Sequence, residues 1–162
     1  MTRTYSERAI ERMRAVVQRV SEASVSIGGE MHAMIGGGLL VLLGVEHDDD
    51  DADLEWLSNK IAQMRIFSDE DGKMNRNVGE IGGSILVVSQ FTLHASTKKG
   101  NRPSFLRAAH PSIAEPMYEA FCGRLEKAAA VLVKRGVFGA DMQVRLCNDG
   151  PVTILIDSRD RQ

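Results

Sequence analysis

A Gly-Pro pair interrupts what is otherwise one continuous β-strand near the end of the chain. The strand pattern covers residues 143–156, and Gly150-Pro151 lies in its middle. Proline has no N–H to donate to a β-ladder and glycine weakens a strand interior, so a strand selected for stability alone avoids both. Two interpretations stay open: a tight hairpin turn between two short strands, which the turn chemistry of residues 148–151 favours, or backbone shaped for a function.

A second segment places polar side chains at the end of an apolar strand. Residues 85–88 are Ile-Leu-Val-Val, and Ser89-Gln90-Phe91-Thr92 follows directly. Rigid backbone at the end of a buried strand holds side chains in place, which is a common way to build a site. Taken alone, the pattern favours ordinary strand-end polarity.

The composition excludes several function classes. The chain has 162 residues, 43% of them hydrophobic, and a formal net charge of −2, which is typical of one globular domain. A nucleic-acid partner would therefore have to bind a local patch, and an aromatic content of 5% argues against broad base stacking. Cys122 and Cys147 form no C-x-x-C pair, so we predict two buried, reduced thiols, a cytoplasmic location and no metal or cofactor.

The spacing of apolar residues predicts many strands and two helices. The first helix should begin within residues 48–51 and end near Arg65, and its buried stripe contains Leu54, Leu57, Ile61 and Met64. The second should begin near a capping box at Ser112 and end at Lys134-Arg135-Gly136, where cations precede glycine. The predicted class is α+β, with a mostly antiparallel sheet or partly closed β-barrel covered by two main helices.

Several known catalytic and binding motifs are excluded because their residues do not occur here at the required spacing. The glycine clusters do not complete a dinucleotide or P-loop pattern, and the acidic runs lack the glycine of a calcium loop. Thr92 and His94 would share one face of a strand, which permits a Thr–His nucleophile–base pair with no identifiable third group. The basic stretch 98–102, with Arg107, is the best phosphate-binding candidate, although a solvated loop is the default interpretation.

Taken together, these residues resemble the D-aminoacyl-tRNA deacylase family. Its two signatures match at Ser89-Gln90-Phe91-Thr92-Leu93-x-Ala95 and Asn148-x-Gly150-Pro151-Val152-Thr153. Further similarity extends over nearly the whole chain from Met13, including Gly38 to Val45 and Arg102-Pro103-Ser104-Phe105. His94 falls where this family varies, so it receives no catalytic weight.

The resemblance implies an esterase that releases D-amino acids from the 3′-terminal adenosine of tRNA in translation proofreading, and that also removes glycine mischarged on tRNA-Ala. It implies a homodimer with two sites at the subunit interface. Gly150-Pro151 would be a cis pair that enters the partner's pocket and rejects L-substrates sterically, braced by Arg19. Phe138 and Met142 would line the adenosine pocket.

Two catalytic schemes remain open for Ser89, Gln90, Phe91 and Thr92. Thr92 could be a nucleophile that forms an acyl-enzyme. Alternatively, the ribose 2′-hydroxyl helps activate water while backbone N–H groups stabilise the oxyanion. We favour the second scheme, because the sequence offers no evident base for Thr92.

The sequence also predicts a division of the chain. Residues 1–12 are polar and without strand pattern, and we expect a dispensable extension there, followed by a single domain over 13–158 and a polar tail over 159–162. Two rival functions are kept: a non-catalytic module that binds the charged tRNA end, and an unrelated esterase that uses Thr92 and His94.

Overall fold

The computed structural model describes residues 12–161, which form eight strands and two helices around one mixed sheet. The strands are β1 (Arg14–Ile27), β2 (Glu30–Ile35), β3 (Gly38–Gly44), β4 (Phe67–Ser68), β5 (Met74–Arg76), β6 (Ser84–Ser89), β7 (Val133–Arg135) and β8 (Gln143–Asp157). The helices are α1 (Asp51–Gln63) and α2 (Pro111–Ala129). Neither helix is long and apolar enough to cross a membrane.

The main sheet has the strand order β2-β1-β3-β6-β7, and β8 pairs with β1. The pairings of β1 are antiparallel, whereas β3, β6 and β7 run parallel to one another. The predicted α+β class with two covering helices is confirmed. The parallel pairings were not anticipated; they bring the carboxyl ends of β3, β6 and β7 to one edge of the sheet, where ligand sites of parallel sheets commonly lie.

Two apolar clusters lie on opposite faces of this sheet. The larger cluster joins strand residues such as Val41 and Val87 to Leu57 of α1 and Phe121 of α2. The smaller cluster contains Val20, Ala23, Val25, Ala33, Ile35, Leu40, Leu86 and Val88. It is enclosed where β2 approaches β6 and β7. Burial on both faces explains why β3 and β6 are continuous apolar runs, and it gives the sheet its partly closed, barrel-like shape.

The Gly-Pro segment is a bulge, so the hairpin interpretation was wrong. Both halves of β8 pair with β1, with Asn148 opposite Val20 and Thr153 opposite Gln18. The four residues 149–152 therefore lie opposite the single residue Arg19. A bulge leaves the inserted residues outside the ladder, so a proline there costs no ladder hydrogen bond.

The second helix differs from its predicted limits at both ends. His110 caps it by accepting a hydrogen bond from the Ser112 N–H, so the capping box predicted at Ser112 was wrong. It ends at Ala129, and Ala130 has a left-handed φ of 52°. The stop predicted at residues 134–136 was wrong, because residues 133–135 form β7, which pairs with β6. The limits predicted for α1 hold within two residues, with Asp50 as its N-cap.

The two cysteines lie in different environments. Cys122 is buried in the larger cluster, and burial raises the pKa of its thiol to about 12. The prediction that Cys147 is also buried was wrong, because its β8 side chain is exposed. Residues 145–147 of β8 are all exposed, and Cys147 lies opposite Glu22 of β1, which is also exposed, so within the described residues this part of the sheet has no layer packed over it.

The last described residues contact α1. Arg159 donates from Nε and Nη2 to the two carboxylate oxygens of Asp53, both at 2.9 Å, and the buried Ser158 hydroxyl donates to the same carboxylate at 2.8 Å. Burial would raise the pKa of Asp53, but these bonds hold it well below its usual range. Arg161 lies over the Trp56 ring at 4.4 Å.

A buried carboxylate after β3 makes stability depend on pH. Burial, with the negative charges of Asp49 and Asp48, raises the pKa of Glu46 to about 7. Because this value lies above that of the unfolded chain, the native state loses stability as the pH rises from about 4.5 to 7. The variant Glu46→Gln lacks this carboxyl group and should not lose that stability. We expect its unfolding free energy relative to that of the wild type to increase by about 2 kcal/mol as the pH rises from 5 to 8.

Urea unfolding at both pH values measures this difference. The matched control is Glu22→Gln, which changes an exposed side chain of β1. An equal effect of Glu46→Gln at pH 5 and pH 8 would contradict the prediction.

Candidate active site at the carboxyl edge of the sheet

The Ser89 segment forms a tight turn where β6 ends. Ser89 is the last residue of β6, and Phe91–His94 is one turn of 3-10 helix. The Gln90 N–H donates to the Leu43 carbonyl at 2.7 Å, which fixes the turn against the end of β3. The first N–H groups of such a turn, here those of Phe91 and Thr92, have no acceptor within the helix. They are available to a bound ligand.

Thr92 is not paired with His94. The side-chain amide of Gln90 donates to the Thr92 hydroxyl. His94 is buried beside Gly44, and burial lowers the pKa of its imidazole. The predicted common strand face was wrong because these residues are helical, and residues two apart in a 3-10 turn point in different directions. Within residues 12–161, no histidine or carboxylate is hydrogen-bonded to the Thr92 hydroxyl.

Phe138 and Met142 lie beside the same edge. Gly136 donates its N–H to Val87 of β6 at 2.9 Å, and a Cβ on Gly136 would lie 2.7 Å from the Met142 sulfur. The Phe138 ring is 6.1 Å from that of Tyr118, whose hydroxyl donates to the Val87 carbonyl. The two predicted pocket residues are therefore brought next to the end of β6.

Arg14 is a contributor that the sequence analysis missed. Its Nη1 donates to the Leu93 carbonyl at 3.2 Å, and its Nε pairs with Asp157 of β8 at 3.0 Å. It thus ties the Ser89–His94 region to β1 and β8. An arginine at the start of a strand gives no sequence signal for this role, because both partners are remote in the chain.

The Gly150-Pro151 peptide bond is cis, as the resemblance implied. Arg19 holds the bulge, donating from Nε to the Asp149 carbonyl at 2.8 Å and from Nη1 to the Ile66 carbonyl at 2.7 Å. On the other side, the Asn148 side chain accepts from the Val152 N–H at 2.8 Å. Arg19 and Asn148 therefore hold the bulge from its two sides.

One chain does not bring the two signature segments together. Ser89 is level with Leu43, and Leu43 is level with Ala15, whereas the bulge lies opposite Arg19. The four positions from Ala15 to Arg19 span about 14 Å along β1. The segments are also three strands apart across the sheet, which adds another ~14 Å.

Within residues 12–161, no group of histidine, cysteine and acidic side chains could hold a metal ion.

A comparison with protein families decides the relationship. The model of the D-Tyr-tRNA(Tyr) deacylase family matches residues 16–157, which include both segments. The chain belongs to this family.

Relatives within the deacylase family match over their full length. The D-aminoacyl-tRNA deacylases of Cytophaga hutchinsonii and Akkermansia muciniphila are 62% and 61% identical over 150 residues, 93% of this chain and 100% of each relative. Among solved structures, the c-Myc DNA unwinding element binding protein is 46% identical, with a TM-score of 0.83 over 88% of this chain and 97% of that chain. A probable eukaryotic D-amino acid tRNA deacylase, 19% identical with a TM-score of 0.76, shows the same fold.

The two hydrogen bonds of Arg19 to the Asp149 and Ile66 carbonyls lead to a prediction about activity. Arg19→Lys keeps the charge but cannot bridge the two carbonyls, because lysine lacks the planar fork of donors. We expect kcat/KM on a D-aminoacyl-tRNA to fall by about tenfold or more, since losing hydrogen bonds from a charged donor costs about 1.5–3 kcal/mol. The matched control is Arg124→Lys, whose surface pair with Asp51 should contribute little. Equal losses in the two variants would contradict the bracing role.

Proposed function

We propose that this protein hydrolyses the ester bond of D-aminoacyl-tRNA and releases a free D-amino acid and tRNA. The names of its full-length relatives support this reaction. The structural observation that carries it is the turn after β6, whose first amide donors have no acceptor within the turn and lie at the sheet edge beside Phe138 and Met142. Such donors can stabilise the oxyanion of an ester's tetrahedral intermediate.

In the proposed mechanism, the substrate RNA supplies part of the chemistry. Water, activated with the help of the ribose 2′-hydroxyl, attacks the ester carbonyl, and the 3′-oxygen leaves with a proton. The N–H groups of Phe91 and Thr92 receive the developing negative charge. The absence of a base hydrogen-bonded to Thr92 within residues 12–161 supports this scheme over an acyl-enzyme.

Chiral selection would come from the Gly-Pro pair of a second copy. The separation of the two segments within one chain supports a homodimer in which each bulge enters the partner's site. Within the described residues β8 pairs only with β1, so its other edge is open. Leu155 on β8 is 78% exposed and lies beside Val16 and Leu42 in one apolar row across three strands. An isologous interface on this surface would complete two equivalent sites.

The same geometry predicts the substrate range. A rigid backbone wall that leaves room only for hydrogen on one side of the α-carbon rejects L-amino acids. Glycine would pass, so we propose that glycine mischarged on tRNA-Ala is also removed. The D-side chain would point outward and matter little. Phe138 and Met142 would hold the terminal adenosine.

We also propose the division of the chain. Residues 13–158 would carry the activity in the cytoplasm, and the extension over residues 1–12 would be dispensable. Residues 1–11 lie outside the described part, and Arg12 is buried. A truncated protein beginning at Met13 should keep its kcat/KM, and insolubility of that protein would contradict the proposal.

Hydrolysis of D-tyrosyl-tRNA beside L-tyrosyl-tRNA tests the reaction. Loss of the D-ester alone is expected. Loss of both would retain an esterase without the chiral wall, and tight binding without turnover would favour the non-catalytic tRNA-end module.

One further substrate and two variants separate the mechanisms. We expect Thr92→Ala to keep measurable activity and a substrate lacking the 2′-hydroxyl to lose it. The reverse result would establish Thr92 as the nucleophile. A loss in His94→Ala combined with indifference to tRNA would favour the Thr–His esterase.

A further inference from the structure

The segment between the turn and α2 carries a strong local positive charge. No aspartate or glutamate occurs between Glu80 and Glu115, although the chain contains 22 acidic residues. The four cations of this stretch are Lys98, Lys99, Arg102 and Arg107. The charge is therefore segregated, in a protein whose formal net charge is −2.

This segment is built onto the candidate active site. The backbones of Ser96 and Ser104 exchange two hydrogen bonds of 2.8 Å, and the Ala109 N–H donates to Val45, just after β3, at 2.9 Å. The Phe105 ring meets the Phe91 ring edge-on, with centroids 5.1 Å apart. The loop is thus fixed at its base and attached to the turn that holds the proposed oxyanion donors.

The loop encloses a basic cavity of about 220 Å³. Its polar lining consists of Ser96, Lys98, Lys99, Arg102, Ser104 and Arg107. All four cations are exposed. Within residues 12–161, Lys98, Lys99 and Arg102 make no ion pair with an acidic side chain, so their charges are not neutralised by the fold. With about 30 Å³ per water-sized group, the cavity has room for a phosphate.

We propose that this basic cavity binds the phosphodiester groups of the single-stranded 3′ end of tRNA. The inference rests on the proposed function, because the ester and the nearest phosphate belong to the same terminal nucleotide. A chain end held at the Ser89–Thr92 turn must therefore pass close by. Arginine and lysine are the residues that bind phosphate, and arginine does so with a planar pair of donors.

The apolar surface beside the cavity favours a nucleic-acid strand over a free anion. Leu106, which lines the cavity, is 87% exposed, and its neighbour in the chain, Phe105, is also exposed. Cations that follow a backbone next to aromatic rings that accept bases are typical of single-strand binding sites. A small anion would use the cations and leave these side chains without a role.

The experiment compares two substrates that share the ester but differ in phosphates. The substrates are D-tyrosyl-tRNA and the D-tyrosyl ester of adenosine, which has none. For Arg102→Ala and for Lys98→Ala/Lys99→Ala, we expect KM on the tRNA to rise about tenfold and kcat/KM on the adenosine ester to stay within about twofold of wild type. The matched control is Lys127→Ala, which changes an exposed lysine of α2. It should leave KM and kcat/KM unchanged for both substrates.

Binding of deacylated tRNA gives a readout that does not need catalysis. We expect the loop variants to bind about tenfold more weakly, with a slope of log affinity against log salt that is shallower by about 0.7 for each contact removed. Equal binding by loop variants and wild type would overturn the proposal. So would an equal loss in Lys127→Ala, or an equal fall in hydrolysis of the adenosine ester.

The same measurements distinguish failure of the inference from failure of the proposed function. If the wild type hydrolyses neither ester, the deacylase proposal fails. Loop-dependent binding of deacylated tRNA in that case would still support the basic cavity, and loop-independent binding would overturn it.

Discussion

Gly150→Ala is expected to lower kcat/KM for D-tyrosyl-tRNA by at least about 100-fold, because small displacements of a positioning group cost that much. Gly150 has a φ of 141°, a conformation that L side chains rarely adopt. A Cβ there would lie 2.9 Å from the Val152 side chain, 3.0 Å from the Val152 backbone nitrogen and 3.0 Å from the Arg19 guanidinium. Neither the backbone nor the bonded arginine can withdraw, so the Gly-Pro pair itself must shift.

The matched control separates backbone strain from displacement of the wall. Gly29 in the β1–β2 turn also has a left-handed φ, 82°, but a Cβ there meets nothing within 4 Å. Gly29→Ala should cost about 1–2 kcal/mol of stability and leave kcat/KM unchanged. Unchanged activity in Gly150→Ala, with its fold intact by circular dichroism, would remove the Gly-Pro pair from the site.

Mixed dimers test which subunit supplies the wall. Phe91→Pro removes one proposed oxyanion donor at a position where proline fits a helical turn, and should cost about 10²–10³ in kcat. In a doubly tagged heterodimer of Gly150→Ala and Phe91→Pro chains, exchange of bulges between subunits leaves one of two sites intact. About half of wild-type activity is expected from this exchange. If each bulge served its own chain, both sites would be defective and activity would not return.

Gly38→Ala is expected to destabilise the fold by about 4 kcal/mol or more, the range of severe core substitutions. Gly38 begins β3 opposite Ser84 of β6, with a φ of 154°. A Cβ there would lie 1.8 Å from the Ser84 carbonyl oxygen and 2.8 Å from its nitrogen. Because both are backbone atoms within a parallel ladder, β6 would have to move away from β3, and Ser89 lies at the end of β6.

Gly37→Ala is the neighbouring control. A Cβ on Gly37 meets nothing within 4 Å. The unfolding free energy of this variant should therefore lie within about 1 kcal/mol of the wild-type value. Urea midpoints of the two variants measure the difference. Similar midpoints would show that the sheet tolerates a wider spacing between β3 and β6.

The parts of the structure that local chemistry determines could be predicted from the sequence. The apolar stripe of α1 and the Gly28-Gly29 turn follow from residues close in the chain. The Gly-Pro interruption was also visible, since proline and glycine act on their own backbone. Its structure as a bulge was not, because that depends on pairing with Arg19, 130 residues away.

Tertiary pairing also overrode good local signals. Lys134-Arg135-Gly136 is a sequence typical of a helix end. However, residues 133–135 pair with β6 as a strand, and the helix ends at Ala129. His94 follows an apparent strand, yet it is buried in a 3-10 turn beside Gly44. In both cases the deciding contact is with a strand remote in sequence, which weak local propensities cannot reveal.

Strand β1 sets the distance between the turn and the bulge of one chain. Arg14 bonds to the turn at Leu93, and Arg19 bonds to the bulge at Asp149. The spacing between turn and bulge is therefore counted in residues of a paired strand rather than left to a loop. Loops around the site can change in length during evolution without altering that spacing. A single residue inserted between Arg14 and Arg19 would lengthen the interval by about 3.4 Å and turn the following side chains to the opposite face.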